Sequence, residues 1–324
     1  MLKSLKLNKV LSILILIFLL VFLSNPRIYM KSTLNGLNVW FYNVLPALLP
    51  FFIATRLLIF LSVENIKPLD KFTNKFFKVN NGGKIFFLSI ISGYPVGAKL
   101  ICDAYKQKQI DLKSAKKMMA FCSVSGPMFI IGSVGLGVFK SVRIGYILLI
   151  CHIIGAILNG LLFRNSYKKI DEENELIYTP KESSSNILAD SMLDSIISIL
   201  LVGGYIVFAF VLIDLLNNLQ LVPTLSNIIS NVFNIKNCEI VNSILNGCVE
   251  MTRGLINIGS LKLSDNLNIC ISSFLIAFGG ISIFLQSLNF TKELKIKKSY
   301  FLFQKFCQGL LTLFVAIVYC LIFN

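Results

Sequence analysis

Apolar residues run along this chain in stretches too long and too uniform for soluble helices. Residues 10–24, 37–62, 117–139, 143–163, 187–216, 266–289 and 300–322 each approach or exceed the length that crosses a hydrocarbon core, which takes about 20 residues for about 30 Å. The pattern predicts an all-α polytopic membrane protein with about seven full spans. Two stretches interrupt it. "ISGYPVGAKL" (91–100) sets two glycines, a proline and a lysine where a span belongs, and "VSGPMF" (124–129) breaks the next one.

The polar positions between the runs suggest a duplication. "FFLSIISGYPVGAKL" (86–100) aligns with "EIVNSILNGCVEMTRG" (239–254), pairing Ser89 with Ser243, Gly93 with Gly247 and Lys99 with Arg253. At nearly the same offset "FCSVSGPMFII" (121–131) meets "FLIAFGGISIF" (274–284), pairing Phe121 with Phe274, Gly126 with Gly279 and Ile130 with Ile283. Pro68 similarly pairs with Pro223. Each half then has a span (37–62; 187–216), a short interfacial segment (66–78; 222–234), a broken segment (83–105; 238–258) and two further spans. The expected organisation is an N-terminal span (1–33), repeat 1 (34–165), a polar cytoplasmic linker (166–186) and repeat 2 (187–324). In the linker, Asp171, Glu172, Glu173 and Glu175 follow no apolar period and are assigned no chemistry.

Basic residues choose between a full crossing and a hairpin for the broken segments. If both turn back and the N-terminus is cytoplasmic, only Arg27, Lys31, Lys140, Arg143, Lys236 and Lys262 remain outside. A full crossing would turn the basic loop 106–117 outward, against the positive-inside rule. Re-entrant hairpins are therefore expected. Each repeat then has three spans and one hairpin, an odd number of crossings, so the repeats are inverted. Inverted repeats with broken helices at the midplane are the architecture of secondary transporters.

Non-helical backbone at membrane depth is tolerated where it is buried in protein or lines a cavity. Around Ser92 and Tyr94, Gly93 and Gly97 permit a sharp turn, and Pro95 suits the start of the returning arm. Ser125 or Gly126 can cap a half-helix beginning at Pro127. Both breaks should present free N–H groups and positive dipole ends, with Lys99 adding a full charge, a constellation that favours an anion. The second half offers Asn246, Gly247, Glu250, Thr252 and Arg253, then Gly279, Gly280 and Gln286. Glu250 and Arg253 are spaced to neutralise each other on a helix, or Arg253 can clamp a carboxylate. A shallow hairpin arm whose charges snorkel to the interface is the plainer alternative. Arg56, Asp190, Asp194, Asp214 and Lys305 lie near span ends, where snorkelling is expected. The prolines of "LPALLP" (45–50) should kink their span.

Composition narrows the classes. The chain has 324 residues, 55% hydrophobic, with a formal charge of +15. The basic excess reads as orientation signal, and also suits anionic lipid or an anionic solute; no nucleic-acid partner is inferred. Lys3, Lys6 and Lys9 ahead of Val10–Leu23 resemble a signal peptide, but no small-x-small cleavage pattern follows, and an uncleaved first span is preferred. The eight cysteines form no CxxC pair and are read as mostly buried hydrophobes. His152 is the only histidine, a polar packing residue, so neither a His-based metal site nor a Ser–His relay is expected. "GLG" (135–137) and "GGK" (82–84) lack the context of a phosphate loop. No catalytic constellation, cofactor or metal is assigned.

Three phrases, "LPALLPFFI", "SGYPVGAK" and "FCSVSGPMFIIGSVGLGVF", resemble the sporulation integral membrane proteins of the YlbJ type, also called SpoVV, within the nucleoside-recognition or Gate domain superfamily. The resemblance is strongest over about residues 37–163. It implies transport of dipicolinate, a small planar dianion, from the mother cell across the outer forespore membrane. Kinship with Gate domains implies an alternative, a nucleoside or nucleobase transporter, for which Asn246, Glu250 and Gln286 could supply polar groups. A non-transporting scaffold with spore-envelope partners or a homo-oligomer is the third reading.

Overall fold

The computed structural model describes residues 2–60, 66–167 and 186–323. Most of the expected linker, with its four acidic residues, lies outside them. The described chain is all-helical. Helix α1 (Leu2–Ser24) covers the predicted N-terminal span, and α2 (Pro26–Val39) follows it. A π-helical turn, Trp40–Val44, leads from α2 into α3 (Leu45–Phe60). Pro46 has no N–H to give back to the preceding turn and its ring crowds that turn's carbonyl, so the backbone widens just ahead of it.

Helix α4 (Lys67–Phe77) carries a proline in its first turn and ends on Lys78 in the left-handed region. Two short helices, α5 (Gly83–Ser92) and α6 (Val96–Lys106), form a hairpin. The span expected at 117–139 is not one helix. Helix α7 (Leu112–Cys122) stops, residues 123–126 are irregular, and a second helical piece opens at Pro127 and continues as the π-helical segment Phe129–Val138. Helix α8 (Val142–Leu162) completes this part of the chain.

The order of elements then recurs. A long helix α9 (Ile187–Asn218) precedes a short α10 (Leu221–Val232), a hairpin of α11 (Cys238–Val249) and α12 (Met251–Ser260), and a broken span of α13 (Asp265–Phe278) and α14 (Gly280–Phe290). Helix α15 (Lys298–Ile322) stands where α8 stood. Among the described residues five helical stretches are long and apolar enough to cross a membrane: Pro26–Leu58, Val142–Leu162, Ile187–Asn218, Asp265–Phe290 and Lys298–Ile322. Ile15–Ser24 and Phe129–Val138, from two of the seven expected spans, are shorter apolar pieces.

Helix α9 packs on α2 and α3, and α15 packs on α8 and α13. Small residues allow these approaches. A Cβ at Gly155 would stand 2.0 Å from Thr312 Oγ1 across the α8–α15 contact, the close crossing that packing within lipid favours. The outer faces expose Leu193, Ile197, Leu200 and Phe208 on α9 and Phe303, Phe314 and Leu321 on α15. Apolar surface of that extent is stable against acyl chains, not against water. The chain is an integral membrane protein.

Several charges expected to snorkel do not. Arg56 donates to Asp103 Oδ2 at 3.0 Å and lies 4.0 Å from Asp194, so it bridges two carboxylates from two other helices. Asp214 pairs with Arg253, and Lys305 is 2% exposed in the core. Spacing along one helix could not reveal partners supplied by another. Asp190 stands in the first turn of α9, where the helix dipole suits a carboxylate. All eight cysteines are free; Cys102, Cys122 and Cys151 are buried, whereas Cys238 is exposed.

Candidate functional site

Each hairpin tip is pressed against the neighbouring broken span. Gly93 takes φ 74° and ψ −169°, and a Cβ there would lie 2.3 Å from Gly126 N. Only glycine reaches that region of backbone space without strain. Gly97 likewise faces the Cys122 carbonyl. In the second half Gly280, at φ 77°, packs on the carbonyls of Gly247, Cys248 and Val249, and Gly247 packs on Gly254 of the opposite arm. Each half thus makes one compact knot from a hairpin tip and a helix break.

The two knots meet at one small cavity of about 30 Å³, room for about two waters. Tyr94, Ser125 and Phe129 line it from the first half, and Glu250, Met251, Thr252, Ile283 and Gln286 from the second. Val44, Leu48, Val202 and Ile206 close it with apolar side chains. A wider groove of about 430 Å³ beside α1, α2 and α9 is lined by apolar groups and Trp40. The Trp40 indole N–H already donates to the Ile199 carbonyl, so the groove has nothing to orient a polar solute.

Of the residues singled out in the sequence, Tyr94, Ser125, Glu250, Thr252 and Gln286 share this cavity. Ser125 donates its backbone N–H to His152 Nε2 at 2.9 Å, which gives the buried histidine a positioning role. Glu250 is 1% exposed and sits at the N-cap of α12, where one carboxylate oxygen accepts from the Arg253 N–H at 2.9 Å and from the Thr252 hydroxyl. Gln286 donates to Ser282 Oγ at 3.2 Å. Gly93, Pro95, Gly97, Gly126, Pro127, Gly247, Gly279 and Gly280 build the turns and breaks behind these side chains. The Tyr94–Pro95 bond is cis, and Pro95 is the N-cap of α6.

The remaining candidates point elsewhere. Ser92 is bonded to Thr55 and to the Leu88 carbonyl. Asn246 exchanges hydrogen bonds with Asn242 and Asn217. Lys99 donates to Ser198 Oγ at 3.1 Å and lies over the Phe290 ring. Arg253 extends its guanidinium to Asp214 at 3.0 Å rather than to the Glu250 side chain. None of these four lines the cavity.

Lys305 instead is the cation tied to the cavity wall, behind Tyr94. Its ammonium donates to Tyr94 Oη at 2.5 Å, to Gln308 Oε1 at 2.6 Å and to the Ser123 carbonyl at 2.8 Å. The Tyr94 hydroxyl in turn donates to the Ala277 carbonyl at 3.1 Å. The signal for this residue was legible: in "QKFCQGLLT" the polar residues Gln304, Gln308 and Thr312 recur every four positions, with Lys305 beside them. That period marks one polar stripe on an otherwise apolar helix, and all four are buried.

No family model matches the chain, and no solved structure matches it. Among curated proteins it is similar to "Sporulation integral membrane protein YlbJ" of Bacillus subtilis, 28% identical over 312 residues that cover 89% of this chain and 76% of that protein. The likeness extends well beyond the three phrases near the first break and takes in both hairpins and both helix breaks.

Proposed function

We propose that this protein is a membrane transporter of a small organic anion, and that the anion is dipicolinate leaving the mother cell across the outer forespore membrane. Residues 34–165 and 187–324 act as inverted repeats, with α5–α6 and α11–α12 as re-entrant hairpins and the N-terminus in the cytoplasm. Arms of 10 to 12 residues reach only about 15–18 Å, half of a hydrocarbon core. The anchors of the two hairpin charges give further support. Lys99 is tied to Ser198 and Arg253 to Asp214, points about 24 Å apart along α9. Ile206, midway between them, lines the cavity.

One observation carries the solute class. Four half-helices bring their N-terminal turns to one buried cavity: α6 through Tyr94, the helix from Pro127 through Ser125 and Phe129, α12 through Glu250, Met251 and Thr252, and α14 through Ile283, with Gln286 one turn further on. Each such terminus acts as roughly half a positive charge, and little water is present to screen it. Glu250 already satisfies one terminus with the protein's own carboxylate. The cavity at about 30 Å³ is smaller than the ~300 Å³ at which ligand pockets begin, so this is a closed arrangement that widens for the solute. An anion leaving an electrically negative cytosol is driven by about 2.3 kcal/mol per charge per 100 mV.

Purified protein in liposomes is expected to move labelled dipicolinate faster than empty liposomes do. Equal rates with a folded sample would overturn the reading. The nucleoside alternative keeps one specific support, since Glu250 and Gln286 are polar groups on the cavity wall able to pair with a base or ribose. Competition decides between them: unlabelled dicarboxylates should suppress the flux, and inhibition by nucleosides alone would favour the alternative.

A further inference from the structure

A buried lysine normally faces a carboxylate, because a lone charge in the bilayer interior costs roughly 2.5–3.5 kcal/mol even on the lenient insertion scale. Among the described residues Lys305 has no ion pair. Its partners are a phenol, a side-chain amide and a backbone carbonyl. The position of that carbonyl explains how the charge is held. Ser123 is the C-cap of α7, and Ala277, reached through the Tyr94 hydroxyl, lies in the last turn of α13. Both broken spans end here with free carbonyls and negative dipole ends. The four N-termini face the cavity, while the Lys305–Tyr94 pair bridges the C-termini behind it, one from each half.

We propose that Lys305 is a proton-binding site that couples transport to proton movement, with the proton travelling in the same direction as the anion. The proposal rests on the transport reading above and names its coupling ion. With its proton, Lys305 ties the C-terminal ends of α7 and α13 together through Tyr94. Without it, the positive charge and one of the three N–H donors are lost, so one of its three acceptors goes unpaired and two carbonyl ends of like sign face each other unneutralised, which frees the halves to separate. An anion in the cavity, one tyrosine away, stabilises the charged lysine, so solute and proton each favour the other's binding.

The groups around Lys305 leave it as the charge carrier. Tyr94 comes from the α5–α6 turn, Gln308 from α15 itself and Cys122 from the end of α7, beside Ser123. His152 of α8 is within electrostatic reach, and its Nε2 is occupied by the Ser125 N–H. Helix α13 contributes the Ala277 carbonyl, and its titratable Asp265 and Cys270 lie about two turns or more before that residue. Glu250 lies on the far side of the phenol, on the cavity.

The test uses full-length protein in liposomes loaded with a pH-sensitive dye, with dipicolinate added outside. Wild type is expected to acidify the interior as dipicolinate enters. A one-to-one cycle shifts the steady accumulation ratio by about tenfold for each pH unit imposed. Lys305→Arg keeps a cation that cannot release its proton, and is expected to bind dipicolinate while losing the proton movement. Lys305→Met, without the charge, is expected to lose the proton movement too, and Glu250→Gln removes the rival proton carrier on the cavity wall. Dipicolinate flux with no interior acidification would overturn the proton site and leave the transport reading intact. Proton movement that persists in Lys305→Arg, or that vanishes only in Glu250→Gln, would also overturn it. Absence of flux under every gradient would instead reject transport itself.

Discussion

At the tip of the α5–α6 hairpin three uncharged residues, Gly93, Tyr94 and Pro95, separate the arms; at the tip of α11–α12 Glu250 alone does so. The first returning arm receives no side-chain cap, whereas the second is capped by the Glu250 carboxylate. Two tips in corresponding places of the chain therefore present opposite faces to one cavity, an open N-terminus and a filled one. On the transport reading proposed above, a solute anion meets an uncapped terminus in the first half, while the second half already holds the Glu250 carboxylate. The helix breaks differ in the same sense. Residues 123–126 are stretched between α7 and the helix at Pro127, while Gly279 and Gly280 turn the chain within two residues.

The largest effect that this contrast predicts is steric. Gly93→Ala places a methyl group within 2.3 Å of Gly126 N at a backbone setting reserved for glycine. It should cost about 3 kcal/mol or more and lower the thermal midpoint in detergent accordingly. Gly279→Ala meets only the Ile283 side chain, at 3.3 Å, in the ordinary left-handed region. Its expected cost is about 1–2 kcal/mol. Equal losses for the two variants would mean that the tips are not packed as described.

How much of this was legible beforehand follows from the length scale of each signal. Apolar runs and helix breakers are local, so five of the seven expected spans and both interruptions could be read directly, and Ser125, Pro127, Gly279 and Gly280 fall at the breaks where they were expected. Which charge faces the cavity depends on how a helix is rotated against its neighbours, which no local pattern encodes. Lys99 and Arg253, conspicuous beside the breaks, are both held on α9. Lys305 looked like an end-of-span residue because it follows Lys297 and Lys298 closely, yet its helix turns it inward. The polar stripe was the cue, and it was masked by the abundance of serine along the other apolar helices.

The aligned cations give the next prediction. Arg253→Gln leaves Asp214, with 21% of its side chain exposed, to the Ser32 hydroxyl alone. A loss of about 1–3 kcal/mol is expected. Arg253→Gln with Asp214→Asn should recover part of it, because the stranded charge is gone. A double variant no better than the single one would show that the guanidinium acts through its contact with Phe210. Glu250→Ala removes the α12 cap and should cost about 1–2 kcal/mol, with a visible loss of order in the second hairpin by hydrogen exchange. If the first hairpin loosened instead, the assignment of Glu250 to the second tip's own stability would fall.

Lys99→Gln is expected to do least, and that makes it informative. The residue stands beside the first break, carries the sign an anion site needs, and aligns with Arg253. Its ammonium nevertheless reaches Ser198 and the Phe290 ring, away from the cavity wall. It is half-buried, so water can replace part of what the substitution removes, and a neutral amide can still bond the serine. Stability should change by about 1 kcal/mol or less, and dipicolinate flux in liposomes by less than about twofold, a fraction of a kcal/mol in transition-state terms. A collapse of flux with stability unchanged would show that Lys99 turns into the cavity when it widens. The first hairpin, rather than the Lys305–Tyr94 bridge, would then supply the solute's counter-charge.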